Sequence, residues 1–152
     1  MGKVMAVNIS VKRGTQKVNV HTVKLIENYG LENDAHAGNW HRQVSLLSYE
    51  KIEEFKAKGA PVKDCAFGEN LIVQGFDFKT LPVGTRLKCN DVILEITQIG
   101  KQCHNGCEIF NQFYSVHIDL LSSSFNTDVH CHHFSHNELP PYICTLYSTI
   151  SY

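Results

Sequence analysis

After Lys101 the chain contains no lysine or arginine, and after Gly106 no glycine. Without cations or flexible turn residues, residues 113–152 lack the usual means of solvating a surface and reversing the chain, so this segment is compositionally foreign to what precedes it. Other absences bound the class of the protein. No apolar run approaches the roughly 18 residues of a membrane span, and the N-terminus lacks the apolar core of a secretion signal, so a cytoplasmic protein is expected, with no membrane partner. Neither sign of charge dominates: the net charge is −1, which implies no nucleic-acid or other polyanion partner. There is no glycine-rich nucleotide loop, no internal repeat, no four-cysteine cluster spacing, and no flavin or haem motif. Any electrons the protein needs must therefore come from a delivery protein.

What remains is a 152-residue chain, 43% hydrophobic and 19% charged, long enough for one domain with a real core. Its six cysteines, Cys65, Cys89, Cys103, Cys107, Cys131 and Cys144, are expected to be reduced in a cytoplasmic setting and so available for chemistry. The division near residue 112 separates a unit of residues 3–112 from a segment of 113–152 that holds five of the nine histidines and seven serines. Two readings of that segment stay open: a divergent tail, or a replacement of the closing strands of the original domain, for instance by a frameshift. Phe113–Leu121 has the pattern of a strand, but Ser122–Ser124 and Asn137–Pro141 lead to no clear amphipathic element.

Before the break the pattern is mainly β. Val4–Val11, Lys17–Ile26, Val44–Leu47, Leu71–Val73, Thr85–Cys89 and Val92–Ile96 read as strands, set apart by turn signals at Gly14-Thr15, Gly75, Pro82-Val-Gly84 and Asn90-Asp91. One helix is expected over Tyr49–Lys58, with Ser48 as its cap, Ile52 and Phe55 on one face, and Gly59 at its end. Many short strands with one clear helix argue for a small barrel or sandwich.

Four clusters carry polar chemistry. In Thr97–Cys107 two thiols, an imidazole and an ammonium follow a strand and a glycine; Lys101 would favour a thiolate at Cys103, and His104 can accept or supply a proton. Cys103 and Cys107 would share a face in a helix, yet Gly106 makes a turn equally plausible, and two buried structural cysteines are the bland alternative. In Asp34-Ala-His36 with Arg42, the guanidinium suits a phosphate or a carbonyl group and His36 adds a hydrogen bond, against the alternative of an Asp34–Arg42 ion pair in a solvated loop. In Phe67-Gly-Glu-Asn-Leu71, Gly68 permits an unusual backbone angle, Phe67 anchors the loop, and Asn70 can donate and accept towards a ring. Lys12, Arg13 and Lys17 read as a solvated basic strand edge.

These clusters, with Lys12-Arg-Gly-Thr15, Tyr29–Gly38, Trp40–Ser45, Ala66–Leu71, Leu81–Gly84 and Thr97–Cys107 in this order, resemble stand-alone bacterial proteins of the MOSC family, named for the molybdenum-cofactor sulfurase C-terminal domain. The resemblance covers about residues 3–112. It implies a small β-barrel of the MOSC type with one or two short helices, the C-terminal part being atypical. It also implies a cleft for molybdenum cofactor (molybdopterin). Cys103 occupies the place of the family's key cysteine, and the resemblance makes it the sulfur carrier or molybdenum ligand. His36, Arg42, Asn70, Lys101 and His104 are the expected cofactor contacts, and Cys107 a supporting thiol. The function implied is sulfur carriage as a persulfide on Cys103, or reduction of N-hydroxylated compounds at a Cys103-ligated molybdenum with a sulfur- or electron-delivery protein as partner. In relatives, glycine-containing strands after the cysteine motif help complete the barrel. Their absence here would leave an open sheet edge through which the chain could form oligomers.

Two other function classes compete. One is a non-enzymatic module that holds cofactor or a metabolite for a partner. The other is a small zinc protein in which His130, His132, His133 or His136 joins Cys103, His104 or Cys107, although that spacing matches no standard finger.

Overall fold

The computed structural model describes residues 2–63, 65–89 and 92–100 and, beyond them, the backbone of residues 126–133, 143–145 and 149–151. The architecture is mainly β with one α-helix among the described residues. The described residues form eleven strands: β1 (Gly2–Ile9), β2 (Val18–Asn19), β3 (Thr22–Ile26), β4 (Gly30–Leu31), β5 (Val44–Ser48), β6 (Leu71–Gln74), β7 (Arg86–Cys89), β8 (Val92–Ile99), β9 (Asn126–His133), β10 (Ile143–Thr145) and β11 (Thr149–Ser151). The helix α1 spans Tyr49–Ala57, and a short 3-10 turn covers Phe78–Thr80.

Eight strands form one sheet in the order β11-β7-β8-β9-β5-β6-β1-β2, and β10-β3-β4 form a smaller one. β11 also pairs with β1, through Gly2–Ile150 and Lys3–Thr149, which brings the β7 side of the sheet back towards its β1 side. With only two residue pairs at that junction, the arrangement is a curled, barrel-like sheet and not a continuous closed barrel. β9, from beyond the compositional break, lies antiparallel between β5 and β8. Its sequence alternates Thr127, Val129 and Cys131 with polar residues, a period of two that the neighbouring histidines disguise. The strand candidate Phe113–Leu121 lies outside the described residues.

Side-chain alternation builds two cores. Val44 and Leu46 of β5, with Leu71 and Val73 of β6, point into the sheet's interior beside Val4, Val7, Leu87, Leu94 and Ile96. Leu47 and Ile72 face the other way, where Ile52 and Phe55 of α1 cover them. The helix is the crossover between β5 and β6, which pair in parallel through Leu46–Leu71, Leu47–Ile72 and Ser48–Val73. Burial of the two α1 side chains stabilises this layer by about 1.5–3 kcal/mol each.

Local signals acted with two differences. Ser48 occupies the N-cap position but makes no capping bond; its hydroxyl donates to Glu50 Oε2 at 2.8 Å, while Glu50 Oε1 accepts the Gly75 amide at 2.8 Å and ties the helix start to the end of β6. Gly59 ends the helix as expected, at φ +84°. The single strand expected over Lys17–Ile26 is two, because His21 adopts φ 61° and its amide bonds Asn19 Oδ1 at 2.8 Å, breaking the ladder.

Candidate functional site

At one edge of the curled sheet, the chain after β1, the loop from Leu31 to Gln43 and the entry to β6 meet in a corner that is polar and buried. Asp34 is its hub. One carboxylate oxygen, Oδ1, accepts the Ser10 amide at 2.9 Å and the Lys17 ammonium at 2.7 Å; the other accepts the His36 amide at 3.3 Å and stands 3.8 Å from His36 Nδ1. The side chains of Lys17 and Asp34 are 2% and 0% exposed. Burial alone would raise the Asp34 carboxyl, but the hydrogen bond from Lys17, the Ser10 amide, the Lys17 charge and the Asn70 amide outweigh it and hold the group below its ordinary value. Burial is also the largest influence on Lys17 and draws its ammonium below the usual lysine range, against the pull of Asp34, Glu69 and Cys65.

One alternative and one expectation from the sequence are corrected here. Asp34 pairs with Lys17 and not with Arg42, and Lys17 is not a solvated edge residue: its alkyl chain carries the ammonium inward to a carboxylate that already accepts two backbone amides. No spacing rule links positions 17 and 34, so this pair leaves no local signal.

Asn70, 2% exposed, stitches β1 to β5: its Nδ2 donates to Asn8 O at 3.0 Å and its Oδ1 accepts the Ser45 amide at 3.1 Å. Glu69 turns inward as well, accepting the Cys65 and Phe67 amides at 3.0 and 3.1 Å. The Phe67 ring packs against Phe55 of α1, 5.5 Å between centroids, and Gly68 takes φ +73°, as the turn requires. No local sequence signal marks Asn8 and Ser10, yet both are buried, and the Asn8 amide and the Ser10 hydroxyl have no hydrogen-bond partner among the described residues.

Arg42 sits at the outer end of the same loop, its guanidinium carbon 6.0 Å from the centroid of the Trp40 ring. The Trp40 indole N–H donates to His36 O at 2.9 Å, and Gln43 Nε2 to Gly38 O at 3.1 Å. Gly30 makes this folding possible: at φ +114° a Cβ would stand 2.7 Å from Gln43 O. Thr97, near the end of β8, donates its hydroxyl to His41 O at 2.6 Å. The strand that leads into the Lys101–Cys107 segment is thereby fastened to the loop that carries His36 and Arg42.

The structure thus brings His36 and Asn70 together through Asp34, and Arg42 to His36 through Trp40. Lys101, Cys103, His104 and Cys107 lie outside the described residues, as do the side chains of His130, His132 and His133. Among the described residues no group of three or more His, Cys, Asp and Glu is placed to hold a metal ion, and no helix is long and apolar enough to cross a membrane.

Comparison with known proteins follows the same lines. The MOSC domain matches residues 33–127, more than half of the chain and a span that includes Asp34, His36, Arg42, Asn70 and Cys103. Among solved structures, the YuaD protein from Bacillus subtilis superposes with a TM-score of 0.70 at 17% identity, over 99% of this chain and 94% of that one. YiiM from Geobacillus stearothermophilus gives 0.62 at 14% identity over 99% and 74% of the two chains, and YiiM from Escherichia coli 0.59 at 16% over 97% and 68%. At these identities the likeness is one of fold. No curated protein matches the sequence.

Proposed function

The chain belongs to the MOSC domain family, which is associated with molybdenum-cofactor-related function, and from that premise we propose that it binds molybdenum cofactor and carries sulfur on, or ligates molybdenum through, Cys103. The observation that carries the reading is the convergence of His36, Arg42 and Asn70 on one corner, fastened by Thr97 to the strand that runs into the cysteine segment. The corner also fits a ligand rich in nitrogen and oxygen. The buried Asn8 amide and Ser10 hydroxyl have no hydrogen-bond partner among the described residues where Asn8 O meets Asn70 and the Ser10 amide meets Asp34.

In this reading Arg42 supplies a charge-assisted hydrogen bond to an anionic or carbonyl group, His36 a second bond oriented by Asp34, and Asn70 the fixed floor of the corner. Lys101 and His104 flank Cys103, the first favouring its thiolate, the second exchanging its proton. The bound cofactor supplies a metal at which sulfur or oxygen is exchanged with a two-electron change. A protein partner delivers sulfur or electrons, and the reaction is sulfur transfer or reduction of an N-hydroxylated compound in the cytoplasm.

Metal and pterin analysis of the purified chain tests this. The expected result is molybdenum and pterin in near-equal amounts, retained less by Arg42→Ala, by about 1.5–3 kcal/mol of binding, with the cysteinate contribution to the metal–sulfur absorption lost in Cys103→Ser while that of the cofactor's own sulfurs remains. Zinc in place of molybdenum, or retention unchanged in both variants, would overturn it.

A further inference from the structure

Trp40 is the single tryptophan of the chain and 39% exposed. Exposed apolar side chains are ordinary when scattered, as Val11, Val18 and Val83 are here, at 79%, 59% and 61%. Trp40 differs in being held. Its indole N–H is spent on His36 O at 2.9 Å, its backbone amide on Gly38 O at 3.0 Å, and the His41 carbonyl that follows it is bound by Thr97 at 2.6 Å. The imidazole of His41 meets the ring edge-on, 5.9 Å between centroids at 71°, and the Arg42 guanidinium carbon stands 6.0 Å from its centroid. With its N–H engaged, what the indole offers to a ligand is carbon: a held π surface flanked by an imidazole and a cation.

A rigid aromatic surface beside a guanidinium suits a planar heterocycle bearing anionic or carbonyl groups. The ring stacks, the arginine takes the oxygens, and little side-chain entropy is lost because the rotamer is already set. We infer that Trp40 is the stacking platform of this site and selects a fused, pyrimidine-containing bicyclic ring as its ligand. This deepens the cofactor reading and rests on it for the identity of the ring as a pterin; a purine has the same stacking chemistry and is the other source to be separated.

The lone tryptophan makes the test direct. The full chain, freed of any cofactor it carries, is titrated with 6-carboxypterin and, separately, with guanosine monophosphate, following Trp40 emission corrected for ligand absorption, with equilibrium dialysis in parallel for variants that lack the fluorophore. Saturable quenching is expected with the pterin, and weaker or no quenching with the nucleotide. Trp40→Phe, which keeps a planar face, should bind within about threefold of the parent, and Trp40→Leu, which keeps apolar bulk without a π face, about 5- to 100-fold more weakly. Comparing these two folded-size replacements keeps the result readable if Trp40→Ala does not fold. Binding of neither ligand, or equal binding by the Leu and Phe variants, overturns the inference. Tighter binding of the nucleotide than of the pterin overturns the pterin assignment. Molybdenum retained equally by Trp40→Leu and the parent would defeat the platform while leaving the cofactor reading intact; free pterin bound by a parent chain that is isolated without molybdenum and takes up none from supplied molybdenum cofactor would do the reverse.

Discussion

Along α1, Lys51 and Lys58 grip Glu54 at 2.8 and 2.9 Å in the open, whereas Lys17 and Asp34 make a bond of 2.7 Å at which neither side chain reaches solvent. The same chemistry does different work in the two places. On the helix, water already solvates both partners, so pairing changes little and the charges serve solubility. In the buried corner each charge is tolerable only because of the other, so removing one leaves the other stranded. What the second arrangement yields is position: Asp34 cannot turn away from Lys17 without losing the Ser10 amide, and His36 is held from its opposite oxygen. A fold that places an ammonium and a carboxylate beneath a loop is using them to fix that loop.

The largest effect should therefore come from Lys17→Met, which keeps the side chain's length and removes its charge. A loss of about 3–5 kcal/mol in chemical unfolding is expected, and Lys17→Met with Asp34→Asn should recover part of it, because no charge is then left buried. The pH dependence has a definite sign. In the parent, Asp34 titrates below its ordinary 3.8, so its contribution is present above that pH and fades only as pH falls through the lower folded value. In Lys17→Met, burial acts unopposed by the ammonium and raises the carboxyl, so the deficit should be full at neutral pH and shrink on acidification. A deficit independent of pH would mean that lost packing, not stranded charge, is responsible.

Next in size is Asn70→Ala, which asks whether the corner needs its neutral hydrogen bonds as much as its ion pair. The substitution opens the neutral bonds to Asn8 O and to the Ser45 amide, at about 0.5–1.5 kcal/mol for each. Thermal melts should place it between Lys17→Met and any helix-surface variant. A cost equal to that of Lys17→Met would show that charge adds nothing to the corner.

How much of this was legible in the sequence follows the range over which each signal acts. Local rules delivered the helix with its Ile52–Phe55 face and its Gly59 end, and most strands to within a few residues, because periodicity and turn chemistry are properties of neighbours. The candidate loop was visible too, since Asp34-Ala-His36 and Arg42 bring ligand-type side chains together in one short span. What stayed hidden was pairing at a distance. Lys17 looked solvated because its partner lies 17 residues on, and Asn8 and Ser10 looked like the polar members of a half-exposed strand until another layer covered them. β9 was obscured for a different reason: its alternation is carried by Thr127, Val129 and Cys131, a weak apolar signal among histidines.

The smallest effect, and the sharpest check on the contrast, is Glu54→Gln. The hydrogen bonds from Lys51 and then Lys58, with their charges, depress the Glu54 carboxyl from 4.5 to about 2, a favourable pairing on an exposed helix face. Because the folded value is the lower one, the contribution is complete above pH 4.5 and disappears as pH falls through about 2. The Gln variant should thus melt slightly below the parent at neutral pH and coincide with it in strong acid. At about 1 M salt, where the screening length is only about 3 Å, the difference should vanish at neutral pH as well, while the Lys17→Met deficit, sealed from ions, persists. A Glu54→Gln deficit that survived high salt, or one as large as that of Lys17→Met, would show that the helix pairs are not screened by solvent, and the distinction between charges that solubilise and charges that position would not hold in this fold.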